Sequence, residues 1–141
     1  MGRVIQAQAL IPGKVRGELI VSSEPLSFWG GYDPATGEIT DRRHPLSGTL
    51  AAGKILALPF TRGSSTTTAV LLEAQRHGTA PLALITCGVD SFLSLASIVA
   101  DEMYARPIPV FSLQEDDFNQ LLHGDTIQLD EDGSLTVIEE P

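Results

Sequence analysis

The residues whose types and spacing best suit binding or catalysis lie where an apolar segment ends and a helix is predicted to begin. In order, they are Arg62, Gly63, Ser64, Ser65 and Thr66. At such a junction the first backbone N–H groups of the helix have no partner within the helix, and together with the helix dipole they attract an anion. Gly63 permits close approach of the backbone to a ligand, and the Arg62 guanidinium can fork onto a carboxylate. The pattern predicts a site for a carboxylate or phosphate.

The same hydroxyl-rich segment also has a purely structural interpretation. One Ser is enough to cap a helix, and five consecutive Ser and Thr residues are unfavourable for helix stability, which favours a functional role. The alternative is a well-capped buried helix whose threonines face a neighbouring element. A P-loop is excluded because the Gly-Lys-[Ser/Thr] sequence is absent. The local pattern alone leaves both interpretations open.

Hydrophobic patterning predicts the elements that would position the junction. An apolar run at 54–60 has the length of a buried strand. The helix after the junction is expected to end at Gly78. Further strands are predicted at 4–10, 15–22, 82–87 and 108–113, further helices at 91–105 and 115–122, and a terminal hairpin around Asp132-Gly133. In the 91–105 helix, the apolar residues near a 3.6-residue spacing are Phe92, Leu95, Ile98, Val99 and Met103. This order predicts one α/β domain over residues 1–141, with a mixed sheet and flanking helices.

Residues 24–48 are predicted to form a long loop with one short strand at 38–41, and loops of this length are often functional. Trp29 is interpreted as packing the loop, although interfaces also favour Trp. Arg42 and Arg43 would meet an anionic substrate, an acidic patch on a partner, or solvent. For His44 a structural or interface role is favoured over a substrate contact.

Composition excludes several classes of function. The net charge of -9 argues against nucleic acid or an anionic membrane surface as a partner. The single cysteine, Cys87, excludes an internal disulfide and fits a reducing compartment. An iron–sulfur cluster needs several ligands, so this chain cannot hold one alone, and the three histidines show no metal-ligand spacing. Because no apolar run has the length of a signal peptide or membrane span, we expect a cytoplasmic protein.

Four motifs occur in order along the chain: GELIVSSEPLSFWGG at 17–31, DRRHPL at 41–46, GKIL at 53–56 and RGSS at 62–65. Together they resemble the small subunit of the aconitase X family over most of the chain. The resemblance implies a swivelling β/β/α domain like the mobile fourth domain of aconitases. It also implies a large subunit that holds an iron–sulfur cluster and most of the substrate contacts, so that the two subunits form a heterodimer.

The resemblance further implies the roles of the junction residues. Ser64 would be the base that accepts a proton from a small hydroxy acid, and Ser65 its neighbour in the anion site. The arginine that usually follows the two serines is replaced by Thr66, and Arg62 is the nearby candidate for its role. No metal ligand is assigned to this chain, and no cofactor is expected on it.

We therefore expect a dehydratase subunit that is inactive without its large subunit. The family implies two substrates, cis-3-hydroxy-L-proline and mevalonate 5-phosphate. The first is favoured because the sequence has two Lys against seven Arg and lacks the Lys and Glu enrichment of hyperthermophiles. The alternative is a non-catalytic domain that binds a small metabolite at the same helix N-terminus.

Overall fold

The described part of the chain forms ten strands and four helices, most of them short. The computed structural model describes residues 3–62 and 65–138, without the side chain of Ser65. The elements are β1 (Val4–Gln6), β2 (Gln8–Ile11), β3 (Val15–Val21), β4 (Leu26–Ser27), α1 (Phe28–Gly31), β5 (Ile55–Leu58), β6 (Thr61–Arg62), α2 (Ser65–His77), β7 (Ala83–Cys87), α3 (Ser91–Tyr104), β8 (Val110–Leu113), α4 (Glu115–Phe118), β9 (Thr126–Leu129) and β10 (Ser134–Ile138).

Most of these strands belong to one mixed sheet, as predicted. Its strand order is β1-β10-β9-β3-β5-β7-β8-β2, and β3, β5, β7 and β8 pair in parallel while the other pairs are antiparallel. The carboxyl ends of the parallel strands meet at one edge, where ligands bind in many α/β folds. Strands β4 and β6 form a separate parallel pair.

The predicted single strand at 4–10 is wrong, because the chain leaves one edge of the sheet at Ala7 and enters the opposite edge. Strand β1 pairs with β10 and β2 pairs with β8, so the chain at Ala7 connects the two edge strands of a curved sheet. The Ala7 N–H donates to the Gly133 carbonyl at 2.8 Å. Gly133 has a positive φ of 91°, and a Cβ there would overlap the Ala7 carbonyl, so this turn requires glycine.

Alternate residues of the central strands point into two separate apolar cores. Ile55 and Ala57 of β5 belong to a core enclosed by the curved sheet and closed by Phe118 of α4. Leu56 and Leu58 face a second core, shared with α2, α3 and the 24–48 segment. Burial on both faces explains why the central strands are nearly continuous apolar runs rather than alternating ones.

The 24–48 segment is more ordered than predicted. It contains β4 and α1, an irregular turn in which Trp29 and Gly30 have non-helical backbone angles. The strand predicted at 38–41 is reduced to isolated bridges from Tyr32 to Ile39 and from Glu38 to Leu50. Phe28, Tyr32 and Ile39 are buried, while the neighbouring Trp29 is 69% exposed. The interpretation of Trp29 as packing the loop is therefore wrong, since Phe28 fills that place. The helix predicted at 115–122 is also shorter and ends at Phe118.

Helix α3 confirms the predicted helix at 91–105, but its buried face does not follow the largest apolar residues. The buried side chains are Leu93, Ala96, Ser97 and Ala100. Small residues allow α3 to lie close to α2 and the sheet. The apolar residues on the opposite, exposed side include Phe92, Leu95, Ile98 and Met103. None of the helices in the described part of the chain is long and apolar enough to cross a bilayer.

Ser97 ties α3 to the chain that leads into β8. Its buried hydroxyl donates to the Ile108 carbonyl and accepts from the Ile108 N–H at 2.9 Å. We expect Ser97→Ala to lower the free energy of unfolding by about 1–3 kcal/mol, because both Ile108 groups lose a buried partner. Urea denaturation measures this loss.

A matched control lies on the same helix. The Ser94 hydroxyl oxygen is buried and has no hydrogen-bond partner among the described residues, so Ser94→Ala is expected to be neutral or slightly stabilising. An equal loss for the two variants would contradict the role given to Ser97.

Candidate functional site

The strand-to-helix junction lies between β6 and α2, beside the start of the 24–48 segment. Strand β5 ends at Leu58, and the short strand β6 then pairs in parallel with β4, Leu26 opposite Thr61 and Ser27 opposite Arg62. This pairing brings the predicted loop residues to the predicted junction. Gly63 and Ser64 and the side chain of Ser65 lie outside the described residues, so their roles stay predictions.

Asp90 fixes the β6 side of the junction. One carboxylate oxygen accepts from the Thr61 N–H at 2.8 Å and from the Thr61 hydroxyl at 2.7 Å. The other oxygen caps α3 by accepting from the N–H groups of Phe92 and Leu93 at 3.1 and 3.3 Å. Because Asp90 is buried, these four bonds join β6 rigidly to the N-terminus of α3.

Thr67 fixes the α2 side of the junction. Its side chain is fully buried, and its hydroxyl donates to the Arg62 carbonyl at 3.1 Å. The residues on either side of Gly63-Ser64 are thus tied to each other directly. Part of the threonine run therefore serves structure, as the second interpretation required. Thr66, which was predicted to bind substrate, is half-buried in the first turn of α2.

A cavity of about 250 Å³ brings together Arg43 and His44 of the predicted loop and Arg62 of the predicted junction. Its lining comprises Glu24, Pro25, Asp41, Arg43, His44 and Arg62. Arg42 is exposed and does not line it. A larger depression of about 720 Å³ lies at the ends of β7 and β8, next to Cys87, and contains none of the predicted site residues.

The two arginines of the small cavity are available to an anion. Within residues 3–62 and 65–138 the ion pairs are Lys54–Glu18, Arg76–Glu73 and His77–Glu73, so neither Arg43 nor Arg62 is neutralised by a described acid. The acidic residues Glu24 and Asp41 line the same cavity. Charges of both signs are therefore presented together, an arrangement that suits a ligand carrying a carboxylate and a cation.

His44 is fixed by hydrogen bonds on both ring nitrogens. Its Nδ1 accepts from the Leu46 N–H at 3.1 Å, which assigns the hydrogen to Nε2. Nε2 then donates to the Ser22 hydroxyl at 3.1 Å, and this hydroxyl donates in turn to the Glu24 carbonyl at 2.7 Å. Since His44 is buried, these contacts favour its structural interpretation, in which it holds the loop against the end of β3.

Tyr32 is not suited to act as a base. Burial raises the pKa of its phenol far above the usual value, and the hydroxyl donates to the Thr79 carbonyl at 2.7 Å.

The described residues do not fit an iron–sulfur cluster, because none of their His, Cys, Asp and Glu side chains form a group of three or more that could hold a metal ion. Cys87 is half-buried at the end of β7.

Sequence reasoning missed Asp90, Glu24 and Asp41. A signal existed for Asp90, because an Asp immediately before a predicted helix is a standard N-cap pattern. Asp41 stands directly before the two arginines and its carboxylate accepts from the Arg43 N–H at 3.0 Å, a turn that the residue type favours. Nothing in the sequence pattern marks Glu24, since its place depends on the pairing of β4 with β6.

Comparison with known proteins identifies the family. The family described as "Aconitase X swivel domain" matches residues 4–137. The chain belongs to the aconitase X swivel-domain family. Its fold is similar to the crystal structure of holo-form aconitase X from Thermococcus kodakaraensis, with a TM-score of 0.87 and 32% identity over 98% of this chain and 100% of that chain. The swivel fold implied by the motifs is thereby confirmed.

Two relatives of this swivel domain have different architectures. The cis-3-hydroxy-L-proline dehydratase of Pseudomonas aeruginosa is 44% identical over 79% of this chain, but the chain spans only 19% of that protein. The phosphomevalonate dehydratase small subunit of Thermococcus onnurineus is 34% identical over 96% of this chain and 98% of its own length. The swivel domain thus occurs both within a longer dehydratase and as a separate small subunit.

Thr67 allows a test of how the junction is held. Thr67→Val keeps the shape of the side chain but removes the hydroxyl that binds the Arg62 carbonyl. We expect the free energy of unfolding to fall by about 1–3 kcal/mol, and trypsin to cleave faster after Arg62 because the local structure opens more often.

The matched control is Thr68→Val in the same turn. The Thr68 hydroxyl reaches the Phe92 carbonyl only at 3.4 Å, so a change below about 0.5 kcal/mol is expected. If Thr67→Val were as mild as Thr68→Val, the hydroxyl of Thr67 would not hold the junction.

Proposed function

We propose that this chain is the small, swivelling subunit of an aconitase-X-type dehydratase that removes water from a small hydroxy acid. The observation that carries the proposal is family membership over residues 4–137, combined with the cavity of mixed charge beside the β6–α2 junction. Both relatives described above are named as dehydratases, and that of Thermococcus onnurineus as a small subunit. We expect the chain to be active only as a heterodimer with an aconitase X large subunit.

In this proposal Ser64 accepts the carbon-bound proton of the substrate. A serine is a base only when its hydroxyl is ionised, so the alkoxide needs nearby N–H groups, a cation and exclusion of water. The first turn of α2 would supply the N–H groups, and Arg62 the cation. Gly63 would let the substrate approach the backbone. The ties from Asp90 to Thr61 and from Thr67 to Arg62 would hold these groups in place.

The cofactor belongs to the partner in this proposal. The whole sequence has one cysteine, and the described residues do not fit an iron–sulfur cluster. A cluster in the large subunit would supply Lewis-acid chemistry toward the leaving hydroxyl. This chain would contribute the proton acceptor and part of the carboxylate site.

We favour cis-3-hydroxy-L-proline as the substrate. The identity to a cis-3-hydroxy-L-proline dehydratase is 44%, against 34% to a phosphomevalonate dehydratase small subunit. The charge pattern of the cavity supports the same choice. A zwitterionic amino acid would place its carboxylate on Arg43 and Arg62 and its ammonium on Glu24 or Asp41, whereas mevalonate 5-phosphate has no cationic group for these acids and would bring additional negative charge beside them.

Mevalonate 5-phosphate is the second candidate. It is favoured by the separate-subunit architecture of the Thermococcus onnurineus relative, which this chain covers almost completely. Turnover of each compound by the assembled enzyme distinguishes the two candidates. We expect mevalonate 5-phosphate to be the poorer substrate, because the acids of the cavity should discriminate against the phosphate.

The central experiment is reconstitution of the chain with its large subunit under anaerobic conditions. We expect elimination of water from cis-3-hydroxy-L-proline, and we expect Ser64→Ala to lower kcat by about 10²–10⁴ without weakening assembly, because only the proton acceptor is removed. The measurements are product formation and the affinity between the subunits.

Ser134→Ala on β10, which lies between β1 and β9 and not next to the junction, is the matched serine control and should keep full activity. Full activity of the Ser64→Ala complex would refute the role of Ser64. Binding of a small carboxylate by the isolated chain, with no turnover by any assembled complex, would instead favour a non-catalytic metabolite-binding domain.

A further inference from the structure

Helix α3 carries a second apolar face that its own fold leaves uncovered. We define the apolar face of α3 as the exposed residues Val89, Phe92, Leu95, Ile98 and Met103, the first of which precedes the helix. Leu95 is 48% exposed and Ile98 is 52% exposed. Large apolar residues on the solvent side of a helix are unusual in a monomeric protein, and a large exposed apolar patch marks an interaction surface.

This face begins at the candidate site. Val89 and Phe92 flank Asp90, whose carboxylate holds β6 through Thr61. The Phe92 carbonyl also faces the Thr68 hydroxyl of α2. A protein that covers the apolar face of α3 is therefore carried up to the junction, where the proposed chemistry requires water to be excluded.

Charge argues against a second copy of this chain as the occupant. Each copy carries a net charge of -9, and the exposed acids Asp101 and Glu102 lie on the same helix. Two such faces would bring like charges together and repel each other. A different protein, apolar at the centre of its contact surface and basic at the rim, fits this face better.

We infer that the apolar face of α3 is the surface on which the iron–sulfur large subunit docks, an inference that rests on the proposed function. The partner would bury the aliphatic side chains at the centre and meet the acids at the edge. Because Asp90 binds Thr61, the residue before Arg62, a partner on this face would also lie near the β6 segment that carries Arg62. Helix α3, which Asp90 caps, would thus link binding of the large subunit to the position of the candidate site.

Leu95→Glu tests this inference, with Leu122→Glu as the matched control. Leu122 is 58% exposed and lies away from α3, beside Arg3 and Thr126. Since both leucines are exposed, both variants should fold, which circular dichroism checks. We expect Leu95→Glu to raise the Kd for the large subunit about thirtyfold or more, and Leu122→Glu to bind as the wild type does.

The outcomes separate the docking surface from the proposed function. Unchanged affinity of Leu95→Glu in a complex that still turns over would overturn the docking surface and leave the function intact. A complex that is weakened by Leu95→Glu but eliminates no water would refute the function instead. Absence of any binding by the wild type, or a homodimer of the isolated chain that Leu95→Glu dissociates, would overturn the docking of a large subunit.

Discussion

The buried carboxylate of Asp90 is the contact on which the candidate site depends. It takes two hydrogen bonds from Thr61 of β6 and two from the first turn of α3. A two-residue strand such as β6 has little stability of its own, and its position is set by this contact and by the pairing with β4. Without Asp90, the junction, the loop beside it and the start of α3 would lose their common anchor.

Because β6 is held in this position, Arg43 and Arg62, which are distant in sequence, lie at the same cavity. Arg43 arrives from the 24–48 segment, which Phe28, Tyr32 and the buried His44 hold against the second core. Arg62 arrives from β6. The two arginines and the two acids, Glu24 and Asp41, line one cavity that neither segment forms alone, and the overall acidity of the chain gives no indication of this local arrangement.

The sequence predicted the regular elements well, because periodicity and length report on local geometry. The strands β5 and β7 and the helices α2 and α3 lie where the patterns indicated. The break at Ala7 was not predictable, since it depends on closure of the sheet against Gly133, 126 residues away along the chain. The exposed position of Trp29 depends likewise on Phe28 occupying the core.

Helix α3 shows a specific limit of hydrophobic patterning. The largest apolar side chains define a regular stripe, yet the buried face is the one with Ala96, Ser97 and Ala100. Close packing against α2 selects small residues, and the large ones are left for another surface. The role of Ser64 rests on resemblance to the family and stays a prediction, whereas Asp90 and the two acids of the cavity were found only in the structure.

The most direct test of this account is a structure of the assembled complex with a bound substrate analogue. The account predicts the Ser64 Oγ within about 3–3.5 Å of the carbon that loses its proton, and the carboxylate of the analogue on Arg43 or Arg62. A Ser64 side chain turned into the interior of this chain, with the analogue held elsewhere, would contradict it.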